Sequence, residues 1–288
     1  VLPEVKAAAE TMIENRGKKA HDAWRKVLDD LAASDEECFD ETVAVLNGKR
    51  CLNALDGMTR YEGGAEASRD TSHKVIQVLA EKMDNLVGGS ADLSSSDKTA
   101  IDASGLLDDE HPTGRNVAYG VREFAQGTIM NGMALHGGLR VFGGTFLVFS
   151  DYLRGAIRLS ALQKLPVVYV FTHDSIAVGE DGPTHEPVEQ LMSLRSLPNV
   201  DVLRPADPNE VIAAWQQAID SVDHPTVLVL TRQKLPVLSR TSNLADAGVA
   251  RGGYVVSPQK GMRPSGILIA SGSEVSLAIK AQERLFKL

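Results

Sequence analysis

The chain has 288 residues, 43% hydrophobic and 24% charged, with a net charge of −8. This is the composition of an ordinary globular protein with room for two domains, and the acidic balance without any polybasic block argues against a nucleic-acid partner. No apolar run reaches the length of a bilayer span and the first residues do not read as a signal peptide; Cys38 and Cys51 lack a metal-like partner set. A reduced, cytoplasmic protein without membrane contact is the expectation.

Residues 1–45 read as amphipathic helices rather than a domain. Val5, Ala8, Ala9 and Met12 share one helical face, and Trp24, Val27, Leu28 and Leu31 another. Helices this short cannot bury both of their sides, so a linker draped over a larger body is expected. From about 46 the pattern becomes α/β. Residues 65–83 predict a helix with Val75, Val78, Leu79 and Met83 inward, 86–90 a short strand, and 91–96 the loop leaving it. Residues 94–112 are polar and irregular. A second strand over 116–119 precedes a helix over 123–136, and 140–142 leads into a helix from about 146 to 163. Residues 167–171, dense in β-branched and aromatic side chains, read as a buried parallel strand. A helix near 188–194, the segment 201–203, a helix over 209–221 and a strand over 226–230 follow.

Strands alternating with helices at this spacing predict an α/β fold, a mostly parallel sheet with helices on both faces. The pattern breaks near 240, because 239–248 is polar with no apolar period. Strands over 253–256 and 266–270, then a helix over 273–288 capped by Ser271 or Ser273, predict the start of a second α/β domain. The expected division is a linker over 1–45, an α/β domain over 46–240 and a truncated start of a further domain over 241–288. The chain opens on Val1 and closes inside a helix, so both ends read as cut.

The residues that suggest chemistry cluster after the strand at 167–171. Residues 172–185 hold His173 and His185 with three carboxylates and are broken by Gly179, Gly182 and Pro183. Open α/β sheets place ligands at the carboxyl ends of their strands, although a solvated turn has the same composition. Glu123 starts a helix that is apolar nearly all round. It is either a carboxylate favoured by the helix dipole or a buried acid waiting for a ligand nitrogen. Phe146, Phe149 and Tyr152, three apart, share a helical face that suits core or a flat heterocycle. Arg69, Ser96, His173 and Arg232 are candidate anion binders. A neutral or cationic histidine with two arginines suits a sugar phosphate, while Arg69 also reads as a surface charge and Ser96 as plain loop. No Walker loop, GxGxxG, GxSxG or Cys/His metal set is present.

These segments resemble transketolase. Gly88-Gly-Ser-Ala-Asp-Leu93, Tyr119-Gly-Val-Arg-Glu-Phe124, Thr145-Phe-Leu-Val-Phe149 with Tyr152, Thr172-His-Asp-Ser-Ile176 and Gly179-Glu-Asp-Gly-Pro-Thr-His185 match family motifs in order and spacing. The likeness covers roughly 46–240 and continues at Ile269-Ala-Ser-Gly-Ser-Glu-Val275. Transketolases transfer a two-carbon ketol unit from a ketose phosphate donor to an aldose phosphate acceptor, using thiamine diphosphate and Mg2+ or Ca2+, in the pentose phosphate pathway. The resemblance implies that Glu123 bonds the pyrimidine N1′, favouring the imino form of the 4′-amino group that takes the proton from thiazolium C2. It implies that Phe146, Phe149 and Tyr152 grip the pyrimidine and that Asp92 and Leu93 lie near the cofactor. Arg69, Ser96, His173 and Arg232 bind the substrate phosphate, Asp181 a sugar hydroxyl, and His185 the reacting end of the donor. Glu123, His173 and His185 are thus the implied catalytic residues.

The family's diphosphate and metal ligands belong to an N-terminal domain whose motifs this chain lacks, and the family's cofactor lies between two subunits. The resemblance therefore implies a homodimer in which this chain alone supplies half a site, holds no metal and is inactive by itself. A natural C-terminal subunit of a split enzyme, a dihydroxyacetone synthase, a deoxyxylulose-phosphate synthase and a non-catalytic scaffold are the alternatives.

Overall fold

The computed structural model describes residues 1–47 and 53–288, so Cys51 lies outside the described residues, while Cys38 is exposed and free. The chain divides into two units, Val1–Lys49 and Arg50–Leu288. The first is helical throughout: α1 (Pro3–Met12), a π-helical turn (Ile13–Lys18), α2 (Lys19–Ser34) and α3 (Glu36–Leu46). Pro3 sits in the first turn of α1, where its missing N–H costs nothing, and Asp35 caps α3 by accepting from the Cys38 amide at 3.0 Å.

The second unit is α/β. Its elements in chain order are β1 (Ala65–Ala67), α4 (Ser68–Lys82), β2 (Leu86–Ser90), α5 (Ser94–Asp97), β3 (Asn116–Ala118), α6 (Glu123–His136), β4 (Arg140–Phe146) and α7 (Ser150–Leu162). Then come β5 (Val168–Thr172), α8 (Gln190–Arg195), β6 (Asp201–Leu203), α9 (Pro208–Asp220), β7 (Thr226–Val229), β8 (Lys234–Pro236), α10 (Thr241–Ala250) and α11 (Glu274–Lys287). Among the described residues six strands pair in the order β3-β2-β4-β5-β7-β6, every pair parallel, and β1 pairs antiparallel with β8. The order reverses at β2, which has β3 on one side and β4 on the other. That reversal is the kind of point at which open sheets bind ligands.

Strand alternation divides the core in two. Val168 and Val170 of β5 face Val75, Ile76 and Leu79 of α4 and Val211, Ile212 and Trp215 of α9. Tyr169 and Phe171 face Met130 of α6 and Leu153 and Ile157 of α7. Both faces of the sheet are therefore covered by helices, as expected. Trp215, fully buried, satisfies its indole N–H by donating to Ser72 Oγ at 2.8 Å. No described helix is long and apolar enough to cross a membrane.

Several boundaries differ from the expectation, each for a physical reason. Residues 65–67 pair with β8 instead of starting the helix, so α4 begins at Ser68. The helix expected from 146 begins at Ser150: Phe146 ends β4, and Leu147–Phe149 form a 3-10 turn. The polar stretch 239–248 lies largely in α10, whose buried face is Thr241, Ala245 and Gly248, too small to give an apolar period. Gly248 is required there because a Cβ would meet the Tyr254 ring at 2.2 Å. Residues 253–256 and 266–270 are not strands; they pair with nothing among the described residues, and Ile267 and Ile269 are exposed. A strand exists only where a neighbour takes its backbone bonds. The helix that follows is present, with Ser273 at the N-cap position but without a side-chain cap bond.

The glycines of β2 allow its close approach to both neighbours. A Cβ on Gly89 would lie 1.9 Å from the Val117 carbonyl oxygen, and one on Gly88 2.3 Å from the Phe142 ring. We expect Gly89→Ala to cost roughly 2–4 kcal/mol, because backbone rather than a flexible side chain must move. Urea unfolding of the chain checks this; a loss below about 0.5 kcal/mol, the surface range, would contradict it.

Candidate active site at the carboxyl edge of the sheet

β5 ends at Thr172, and His173 turns the chain with a φ of 59°. A left-handed backbone at a non-glycine residue costs on the order of 1 kcal/mol and persists only where surroundings impose it. His173 is 2% exposed. Its Nδ1 lies 2.8 Å from Thr172 Oγ1, and its Nε2 lies 3.5 Å from Arg69 Nη1 and 3.8 Å from Asp181 Oδ2. Arginine only donates, so the Arg69 contact is a hydrogen bond only in the tautomer that leaves Nε2 bare. Burial, aided by the Arg69 charge and opposed by Asp181, pushes the His173 pKa down to about 4. Of the two protonation states left open by the sequence, the neutral imidazole holds at pH 7.

Two arginines flank this ring because a buried clamp holds the elements that carry them. Ser68 N–H donates to Thr231 Oγ1 at 3.1 Å, and Thr231 N–H donates to Ser68 Oγ at 2.6 Å. The first turn of α4, with Arg69, is thereby fixed to the chain leaving β7, with Arg232. Arg69 Nη1 also donates to the Ser96 carbonyl at 2.9 Å, so Ser96 meets the cluster through its backbone. Arg232 pairs with Glu180 at 2.8 Å, but the Glu180 side chain is 83% exposed and such a pair is weak.

The expected aromatic trio is present in a different form. Phe146 stands at the strand end, Phe149 in the 3-10 turn and Tyr152 in α7, yet the rings succeed one another at 6.1 and 6.2 Å. A 3-10 turn has three residues per turn, so the spacing still aligns them. Phe146 is buried with His173 stacked on it at 3.7 Å, whereas Tyr152 is exposed. His185 meets the edges of Phe146 at 5.8 Å and Phe149 at 5.3 Å. Thus Arg69, Ser96, His173, Asp181, His185, Phe146, Phe149 and Tyr152 form one chain of contacts, with Arg232 acting on it through its charge.

Glu123, Asp92 and Leu93 stand outside that chain of contacts. Glu123 opens α6 and is partly buried rather than fully so, and its carboxylate has no hydrogen-bond or ion-pair partner among the described residues. Asp92 is exposed, with a φ of 64°, and Leu93 N–H donates to Ser90 Oγ at 3.1 Å. No group of His, Cys, Asp or Glu suited to a metal occurs among the described residues.

Sequence reasoning missed Asp97, which holds the loop beneath the site. It is fully buried, accepting from Ser90 Oγ at 2.5 Å and from Thr99 Oγ1 at 2.6 Å. Burial outweighs these bonds and pushes its pKa up to about 6. Ser68 and Thr231 were missed as well, because hydroxyls that bind across long sequence separations leave no periodic signal.

The family model of the transketolase pyrimidine binding domain matches residues 65–237. The chain belongs to the transketolase pyrimidine-binding-domain family. It is 52% identical over 286 residues to the transketolase of Geobacillus stearothermophilus and 54% identical over 276 residues to that of Bacillus subtilis. These alignments cover 99% and 96% of this chain but 43% and 41% of the relatives. A crystal structure of Pichia stipitis transketolase in complex with sedoheptulose 7-phosphate superposes with a TM-score of 0.91 at 38% identity, over 100% of this chain and 43% of that one. Leishmania mexicana transketolase matches with a TM-score of 0.91 at 37% identity, over 100% and 42%. The chain spans less than half the length of the transketolases it matches, and the parallel sheet described above is the one they share.

The two shifted groups have opposite effects on stability. The unfolded chain takes up a proton on His173 below about pH 6.5 that the native chain refuses until about pH 4, so this contribution falls with falling pH. Native Asp97 holds a proton up to about pH 6 that the unfolded chain releases near pH 3.8, so its contribution falls with rising pH. Asp97→Asn should therefore stabilise the chain at pH 7 by on the order of 2 kcal/mol and steepen the loss of stability between pH 6 and pH 4. Urea midpoints at pH 7 and pH 4.5 check both; an unchanged slope would contradict the assignment.

Proposed function

We propose that this chain supplies the pyrimidine-recognising and sugar-phosphate-recognising side of a transketolase, which moves a two-carbon ketol unit from a ketose phosphate to an aldose phosphate. The observation that carries this reading is the convergence of Arg69, His173 and Arg232 beside Phe149 and His185 at the carboxyl edge of β5 and β7. Two guanidinium groups around a neutral imidazole match a phosphate dianion in charge and donor geometry. The imidazole adds a donor without a third buried charge in the tautomer that carries its proton on Nε2, in which the Arg69 contact is not a hydrogen bond. Asp181 lies 3.8 Å from His173 Nε2 and His185 lies against the aromatic rings; in this reading Asp181 accepts from a sugar hydroxyl and His185 takes the reacting end of the donor.

Thiamine diphosphate fits the remaining groups. The Glu123 carboxylate, partly buried and unpartnered among the described residues, suits a proton shared with the pyrimidine N1′. Phe149 and Tyr152 offer ring faces to the heterocycle, while Phe146 has one face against His173 and acts through that ring. Asp92 and Leu93 border the cofactor from the loop after β2. When bound, the cofactor supplies the carbon nucleophile, and the residues here orient the sugar and hold the proton at N1′. This reading places the diphosphate and its Mg2+ or Ca2+ on residues outside this chain. It also pairs two copies in a homodimer, in keeping with Phe124, Ile129 and Leu135 of α6, which are large, apolar and exposed.

A chimera in which this chain replaces the matched part of the Bacillus subtilis enzyme tests the proposal. We expect ketol transfer between sugar phosphates, lowered at least about 100-fold by Glu123→Gln with the fold intact. Arg232→Ala should raise KM for phosphorylated donors about tenfold and leave a donor without phosphate nearly unchanged. A folded, dimeric chimera without transfer, or Glu123→Gln at near-normal turnover, would refute the reading.

A further inference from the structure

The residue after His173 is buried for a reason unrelated to any ligand. The Asp174 side chain is fully buried and pairs with Arg204, its Oδ2 lying 2.8 Å from Nε and 2.7 Å from Nη2. Its other oxygen, Oδ1, is buried with no hydrogen-bond partner among the described residues. A buried carboxylate satisfied on one oxygen by one cation follows wherever that cation is held. Arg204 follows β6, and its side chain is only 7% exposed.

The C-terminal segment holds Arg204. Its Nη1 donates to the Ser271 carbonyl at 3.0 Å and to the Glu274 carboxylate, and its Nη2 donates to Ser273 Oγ at 3.2 Å. Its own carbonyl accepts from the Gly272 amide at 2.9 Å. Gly272 has a φ of +59°, and a Cβ there would lie 2.7 Å from Arg204 Nε. The glycine is therefore needed for both backbone and space. The turn 271–274 wraps the guanidinium, and its five donors are divided between that turn and Asp174.

We propose that Arg204 and the turn 271–274 position His173: the C-terminal segment sets, through Arg204 and Asp174, where the imidazole stands in the anion site. His173 adopts a left-handed backbone that must be imposed from both sides. On one side lies β5. On the other lies Asp174, anchored as described, one peptide from the ring stacked on Phe146. Arg204 and Asp174 touch neither substrate nor cofactor in this scheme; they are positioning residues. The consequence for binding rests on the reading of His173 as an anion ligand, whereas the positioning itself does not.

Histidine ring NMR of the 288-residue chain tests this, with His173 assigned by its loss in His173→Gln. Stacking on Phe146 shifts its ring protons upfield, and its titration lies well below that of an exposed histidine. Arg204→Lys, which keeps the charge but loses the fork, and Gly272→Ala, which displaces it, should move the resonances toward free histidine and raise the His173 pKa. Those of His73 and His224 should stay in place. Inorganic phosphate binding, measured by calorimetry, should weaken about tenfold in both. Should Gly272→Ala fail to fold, Ser273→Ala takes its place. Lower stability with unchanged His173 resonances in the folded variants would overturn the positioning role. If the parent chain binds no phosphate while the His173 signature still moves, the anion reading fails and the positioning stands.

Discussion

The reciprocal hydrogen bonds between Ser68 and Thr231 are the constraint on which the site depends. They join residues 163 apart and bring two guanidinium groups, Arg69 and Arg232, to one edge of the sheet. The arrangement is unfavourable in itself: burial and the charge of Arg232 both make the protonated form of Arg69 harder to keep. Exposed arginines would drift apart. Here the clamp is fully buried, so neither bond can be dropped without leaving a donor unsatisfied. What the clamp holds is a pair of guanidinium groups that repel one another, and an anion between them relieves that repulsion.

The neutrality of His173 belongs to the same logic. A third positive charge between the two arginines would add to a repulsion that a buried site screens poorly. Depressing the imidazole pKa avoids that charge and leaves a neutral ring whose orientation is set by stacking on Phe146. The cost appears elsewhere, in a left-handed backbone and a ring without water around it. Both are tolerated because β5 behind His173 is rigid and buried on both faces.

Much of the architecture was legible in the sequence because its signals are local. The run at β5, the periodicity of α4 and α9, and the glycine punctuation after Thr172 each report on neighbours a few residues away. The lost boundaries depend on distant partners. Residues 65–67 are strand only because 234–236 lie beside them, and 266–270 look like a strand yet lack a neighbour among the described residues. The helix α10 hid because its buried face is threonine, alanine and glycine, packed by size rather than hydrophobicity. In the site, His173 and His185 stand in the motif-bearing loop after β5, whereas Arg69 and Arg232 were singled out by their places at a helix start and after a strand. The groups that hold them in place were invisible: Asp97, Ser68 and Thr231 are polar side chains whose value lies in being buried, and composition does not show burial.

Burial also explains why the supporting residues matter as much as those at the surface of the site. Asp97 ends α5 in the segment after β2, and Asp174 follows the end of β5; both lie under loops that carry candidate ligands. Both are pushed toward protonation by desolvation. They meet that penalty differently: Asp97 with three local hydroxyl and amide bonds, Asp174 with a single guanidinium shared with the C-terminal segment. A locally satisfied acid moves only with its own loop. An acid satisfied by a distant cation moves with whatever holds the cation, so the loop after β5 inherits the geometry of residues nearly a hundred positions later. Of the two candidate loops, the one bearing His173 is thus the one whose placement a change outside the sheet can reach.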